Sequence, residues 1–150
     1  MMLQRTDSEL NHHEHQVLRK QLRNLDAALD GLVCYSEVFA DLGTAGDLYR
    51  WGNQIRRAFP DHVLHEERSV LDAVSTQGSD WQAFAQEMKQ QHRNLLQKLE
   101  TFCEAMDELE DSPDLEQCIT ELKTRGQEFA RQLAGHMDAE ERKLSRMTNA

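Results

Sequence analysis

Six residues of this 150-residue chain combine types and spacings that could do chemistry together. His62 stands four residues before Glu66 and His136 four before Glu140, while His15 and His92 stand alone. On a helix, residues four apart are turned by only about 40°, so each His–Glu pair presents both groups to one side. Burying such groups without partners costs several kcal/mol each, so their charges must be met. Imidazole and carboxylate are ligands for cations. A carboxylate can bridge two ions with its two oxygens, whereas an imidazole lone pair serves one. Two divalent or trivalent ions, bridged by Glu66 and Glu140 and each completed by two histidines, would satisfy every group. Mixed nitrogen and oxygen donors favour iron or manganese; structural zinc prefers four ligands on one ion.

Helices must position these groups. Proline and glycine are scarce, at 2 and 7 copies, and apolar residues recur at three- and four-residue steps in four long segments. The first stripe is Leu18, Leu22, Leu25, Leu29 and Leu32. Its helix is expected to start at a cap among Thr6, Asp7 and Ser8, with Glu9 completing a capping box, and to end near Leu42–Gly43. Leu48, Trp51, Ile55, Phe59, Val63, Val70 and Ala73 mark a second helix stopping by Gly78, with a kink or break expected at Pro60. The third begins after Ser79, with Gln82 as capping partner, and runs through Trp81, Phe84, Met88, Leu95, Leu99, Phe102, Met106 and Leu109. Ser112–Pro113 should open the fourth, with its stripe at Leu115, Leu122, Phe129, Leu133, Leu144 and Met147. Short connections permit only antiparallel neighbours. The expectation is all-α: one domain over residues 1–150, an antiparallel up-down-up-down four-helix bundle.

Axial height decides whether the six residues can meet. His62 and His92 both lie about 15 residues, or roughly 22 Å, from the turn near residue 77, so they are level. His92 and His136 are within about a turn of one another, counted from the turn near residue 112. Across the turn near residue 43 the mismatch between His15 and His62 is roughly one to two turns, which loop length and Pro60 could absorb. The chain also looks duplicated. His15 and His92 open two halves that close with His62–Glu67 and His136–Glu141, at intervals of 47 and 44 residues.

The ordered set His15, His62 with Glu66, His92, and His136 with Glu140 resembles the hemerythrin-like cation-binding proteins over nearly the whole chain. That resemblance implies two non-haem iron ions with an oxo or hydroxo bridge, and small ligands such as dioxygen, nitric oxide or peroxide. Oxygen-carrying members add a fifth histidine one turn from the third-helix ligand, but Met88 and Leu96 flank His92 here. They end in His-x-x-x-x-Asp, where this chain has His136-x-x-x-Glu140. The departures point away from reversible oxygen carriage. They favour the branch linked to peroxide or nitric oxide handling in oxidative or nitrosative stress and to iron homeostasis. A non-catalytic dioxygen or iron binding or sensing module is the alternative, and its output would need a protein partner. A metal-free interaction bundle is the third reading.

Other chemistries find less support. The net charge of −10 repels nucleic acid and anionic membrane, and no apolar run reaches the roughly 20 residues of a membrane span. Met1 to Asn11 lacks the apolar stretch of a signal peptide, and Cys34, Cys103 and Cys118 suit reduced thiols, so a cytoplasmic location is expected. Only Glu9-x-x-His12 suggests a ferritin-type motif. His12 borders the core seam as a candidate extra ligand, His13 faces solvent, and His65 reads as a surface or supporting group. Glu67 and Glu141, turned about 100° from the bridging carboxylates, read as solvated charges. Tyr35, Glu37 and Tyr49 offer a fifth ligand or a phenol, but their heights place them at the far end. Trp51 and Trp81 read as core aromatics, and Asp61 and Asp138 as groups able to orient imidazoles.

Overall fold

The computed structural model describes residues 5–32 and 42–148, and every regular element among them is helical. Four long helices dominate: α1 (Arg5–Asp30), α2 (Leu42–Glu66), α3 (Ser79–Asp107) and α4 (Leu115–Thr148). Beyond Glu66 the second rod continues through a π-helical segment, Glu67–Leu71, and a closing α turn, Asp72–Val74. A 3₁₀ turn, Leu109–Asp111, follows α3. No helix among the described residues is long and apolar enough to cross a membrane.

Several boundaries differ from the sequence expectation. Leu42 and Gly43, expected to close the first helix, open the second, because α1 ends at Asp30. Counted from these ends, His15 lies 15 residues from Asp30 and His62 lies 20 from Leu42, so their offset in height is still more than one turn. Cys34, Tyr35 and Glu37 lie outside the described residues. Thr6, Asp7 and Ser8 fall inside α1, and Glu9 accepts a hydrogen bond from Arg5 Nε at 2.8 Å. Gly78 caps α3 with φ at 135°, a conformation that disfavours side chains, so Ser79 becomes the first helical residue. Asp114 rather than Ser112 caps α4, its Oδ1 accepting the Gln117 N–H at 3.1 Å. α2 runs unbroken through Pro60; the departure from α geometry falls at Glu67–Leu71. A π segment inserts an extra residue and shifts the helical phase, and Leu71 and Val74 are buried where Ala73 was expected.

Packing pairs the helices with sequence numbers running in opposite directions. On α1 and α4, Arg19 bonds Asp138 and Glu141, whereas Asp30, farther along α1, bonds Gln127. Lys98 meets Glu128 where α3 faces α4, and Gln91 meets His136. Between the second and third rods, Asp72 pairs with Lys89 and Arg56 with Asp107.

The apolar interior falls into two parts. The larger runs from Leu18 to Leu32 on α1 across Ile55, Phe59, Leu95, Phe102, Leu122 and Phe129; a smaller cluster unites Val70, Leu71, Val74, Phe84, Met88 and Leu144. Between them lies a polar slab. Its members are Asn11, His15, His62, Glu66, His92, His136 and Glu140, the buried polar or charged residues among those described. Trp51 and Trp81 are half-buried rim residues rather than core aromatics, with Arg50 stacked 5.0 Å and Lys143 4.9 Å from their ring centroids.

Two glycines allow the rods to close in on the larger cluster. A Cβ on Gly126 would stand 2.5 Å from Leu29 Cδ1 and 2.9 Å from the Phe102 ring, and one on Gly52 would stand 2.5 Å from Met106 Sδ. Gly135, on the exposed side of α4, has nothing within 4 Å of that position. Gly126→Ala is therefore expected to destabilise the protein by about 1–3 kcal/mol, as overpacking does. Gly135→Ala should instead stabilise it by up to about 1 kcal/mol through helix propensity. Urea unfolding of the two variants checks the pair, and equal effects would contradict the packing.

Candidate metal centre

Each rod delivers part of the polar slab. α1 brings His15, α2 brings His62 and Glu66 one turn apart, α3 brings His92, and α4 brings His136 and Glu140 one turn apart. All six sequence candidates converge. His15, Glu66 and Glu140 have 0 % exposure, and the other three histidines 6 % or less.

The inward atoms form two groups that share Glu66: His15 and His62 in one, His92, His136 and Glu140 in the other. His15 Nε2 lies 3.1 Å from His62 Nε2 and 3.0 Å from Glu66 Oε2, and His62 Nε2 is also 3.0 Å from Glu66 Oε2. The other oxygen, Glu66 Oε1, is 2.9 Å from His92 Nε2. Glu140 divides in the same way, with Oε2 3.3 Å from His136 Nε2 and Oε1 3.4 Å from His15 Nε2. Two ligands at right angles on one ion, with bonds of roughly 2.1 Å, stand about 3 Å apart. The observed spacings fit cis ligands.

Outer hydrogen bonds fix what the inner nitrogens carry. Nδ1–H of His15 donates to Glu141 Oε1 at 2.9 Å, that of His62 to Glu14 Oε1 at 3.2 Å, and that of His136 to Gln91 Oε1 at 2.6 Å. With the proton on Nδ1, each Nε2 turns a lone pair inward. Acceptors then face acceptors. His92 Nε2, His136 Nε2, Glu66 Oε1 and Glu140 Oε2 have no hydrogen-bond partner, although each lies near a carboxylate or imidazole. Close approach without hydrogen-bond geometry is what donors to a shared cation show, so the residues fit a metal. Asn11, one turn before His15, adds a donor: its Nδ2 is 3.3 Å from Glu140 Oε1.

The duplication extends to the outer bonds. The residue before each leading histidine, Glu14 or Gln91, reaches the trailing histidine of its own half, His62 or His136. The residue after each inward glutamate, Glu67 or Glu141, faces the leading histidine of the other half. Ring pairs match too, with centroids 4.8 Å apart for His15–His62 and 4.8 Å for His92–His136.

Sequence reasoning missed most of this outer layer. Glu141, read as a solvated charge, holds His15 and is itself gripped by Arg19 at 3.0 and 3.1 Å. Glu14, Gln91 and Asn11 were not singled out, although the repeated placement of Glu14 and Gln91 directly before His15 and His92 was a usable signal. Asp138 bonds Arg19 at 2.7 Å instead of an imidazole. His12 is exposed and bonded to Gln16, and His65 bonds Glu14 at 2.9 Å from the surface; neither belongs to the two inward groups. Tyr49 sits beside Glu110, Asp107 and Cys118 at the far end. Burial pushes the Cys103 thiol up to about 11.

Burial and mutual repulsion set the charges. Burial lowers the basicity of His136 to a pKa of about 4, helped by its neighbour His92, so the ring is neutral at physiological pH. For His62, burial acts downward but Glu66 and Glu14 overcome it and hold the pKa up. Burial, with the Glu66 carboxylate alongside, raises Glu140 well above the usual carboxyl range. Glu66 is driven the other way: against burial, the imidazoles of His15, His62 and His92 at close range hold it well below that range. Of the two carboxyls, Glu140 is therefore the one that holds a proton more readily.

Helices that project paired carboxylates and imidazoles into a bundle core define the helical-bundle metal proteins. Over residues 6–148 the chain matches the hemerythrin HHE cation binding domain, and it belongs to that family. Comparison with curated proteins and with solved structures gave no match. Family and cluster together indicate binding of metal, typically iron.

Because Glu140 holds a proton more readily than an ordinary carboxyl, loading the metal-free protein near pH 7 is expected to release protons, and affinity should rise with pH. Glu140→Gln should release about one proton fewer. Calorimetric titration in buffers of different ionisation enthalpy measures the count, and an unchanged count in the variant would refute the assignment.

Proposed function

We propose that this chain, as one antiparallel up-down-up-down domain, holds two non-haem iron ions and uses them to react with peroxide, nitric oxide or dioxygen. Its setting would be oxidative or nitrosative stress or iron homeostasis. The single observation that carries the reading is the convergence of imidazole nitrogens and carboxylate oxygens in a buried slab, where His92 Nε2, His136 Nε2, Glu66 Oε1 and Glu140 Oε2 have no hydrogen-bond partner. Opposite running of the contact pairs supports the topology. The family match over residues 6–148 supports reading the chain as one unit.

Glu66 and Glu140 would bridge the ions, with His15 and His62 on one and His92 and His136 on the other. When bound, the ions supply one-electron redox chemistry and open coordination positions. The chain's own residues do the rest. Glu141, Glu14 and Gln91 keep the rings aimed inward through Nδ1. Phe59, with its ring centroid 6.5 Å from that of His92, and Met88 keep bulk water out from the two apolar sides.

Turnover is favoured over oxygen carriage because no fifth imidazole adjoins His92: Met88 is buried in the smaller apolar cluster, and Leu96 packs against the larger. Free Cys103 and Cys118 support a reducing compartment such as the cytoplasm.

Purified protein should hold about two iron ions per chain, and His62→Ala or His136→Ala should lose most of one or both while the helices persist. Metal analysis with circular dichroism tests this; full stability and no iron uptake would sink the reading. Mixed with dioxygen, the reduced protein should change its visible spectrum in a way that removing dioxygen does not reverse. Stopped-flow absorption decides the point, and full reversal would favour the non-catalytic binding module.

A further inference from the structure

The inner ligands of the two halves match, but their outer hydrogen bonds do not. His15 and His62 each donate Nδ1–H to a carboxylate, Glu141 at 2.9 Å and Glu14 at 3.2 Å. Both anions are held in place, Glu141 by two nitrogens of Arg19 and Glu14 by His65. In the other half, His136 donates to the neutral amide of Gln91 at 2.6 Å. His92 Nδ1 is buried with no hydrogen-bond partner, and the counterpart of Glu141, Glu67, stands 3.8 Å away. The difference has a backbone correlate. Glu141 follows Glu140 on an unbroken α-helix, whereas Glu67 is the first residue of the π segment.

An imidazole that donates to a carboxylate gains electron density at its other nitrogen and binds a cation more strongly. One that donates to an amide gains less, and one with no acceptor gains nothing. Removing such an outer partner typically changes metal affinity by about 10–100-fold.

We propose that the two cation positions are inequivalent by construction. The His15–His62 position, backed by Glu141 and Glu14, retains its ion, and the His92–His136 position exchanges it. Glu14 and Gln91 are the positioning residues that set the difference, one anionic and one neutral at equivalent places in the duplication. This rests on the two-ion reading above.

The test is iron release from the protein loaded anaerobically with two equivalents of ferrous iron and mixed with excess ferrous chelator. Wild type should release its iron in two phases of equal amplitude, with rates at least about tenfold apart. Gln91→Glu should slow the fast phase severalfold and leave the slow one unchanged. Glu14→Gln should speed the slow phase and leave the fast one unchanged. Both residues lie at the margin of the slab, so the helices should persist in each variant. A single phase carrying both ions, or either variant acting on the opposite phase, would overturn the inequivalence while leaving two-ion binding intact. Uptake of fewer than two ions by wild type would overturn the two-ion reading and this inference with it.

Discussion

Everything in this protein is arranged around a repulsion. Lone pairs of imidazole and carboxylate oxygens are brought within hydrogen-bond distance of one another in a region that water does not reach, with too few protons to separate them. An apolar core of the same shape would be far easier to fold, since unsatisfied buried polar groups cost several kcal/mol each and a domain's whole stability is about 5–15 kcal/mol. The helices, their heights and their close approach at Gly52 and Gly126 make sense as a frame holding acceptors in opposition until a cation resolves it. Metal affinity is thus stored in the fold, as strain between groups that only a positive charge can reconcile.

Much of the centre was legible in the sequence because helix geometry is strict. Four-residue spacing fixes the direction of Glu66 relative to His62 and of Glu140 relative to His136, and counting from the turns near residues 77 and 112 brings His62, His92 and His136 to similar heights, whereas the turn before α2 was misplaced. What was not legible depends on tertiary choices. The cap of α4 went to Asp114 rather than Ser112 because either oxygen can serve an N-terminal amide and the helix start decides between them. Leu42 and Gly43 open a helix that their turn-like neighbours Thr44 and Gly46 seemed to forbid. Pro60 is absorbed within α2, whereas Glu67–Leu71, with no proline or glycine to announce it, leaves the α path. Propensity is a weak prior against packing.

The outer partners illustrate a different limit. Glu141 is a glutamate on a helix side, and its periodicity alone places it toward solvent; only the neighbouring helix, by presenting His15 and Arg19, turns it into a support. A long side chain reaches back across about a turn, so an angle counted at the backbone underestimates where its carboxylate can go. The duplication compensates in part. Once Glu14 and Gln91 are seen to do the same task in the two halves, the chain reads as two hairpins joined face to face, alike in their inward groups and different in the outer partners of their imidazoles.

A polar layer that divides the interior also divides its cohesion. The cluster around Val70, Phe84 and Leu144 is smaller than the one beyond the slab, and it is built from the π segment, the start of α3 and the end of α4. Regions with fewer buried apolar contacts open at lower free energy and exchange their amide protons sooner. The end that carries the smaller cluster is therefore expected to open before the other, with the ligands at the frontier between them. Metal bound at that frontier would tie one end to the other, and local order at one tip would become a report on the contents of the middle.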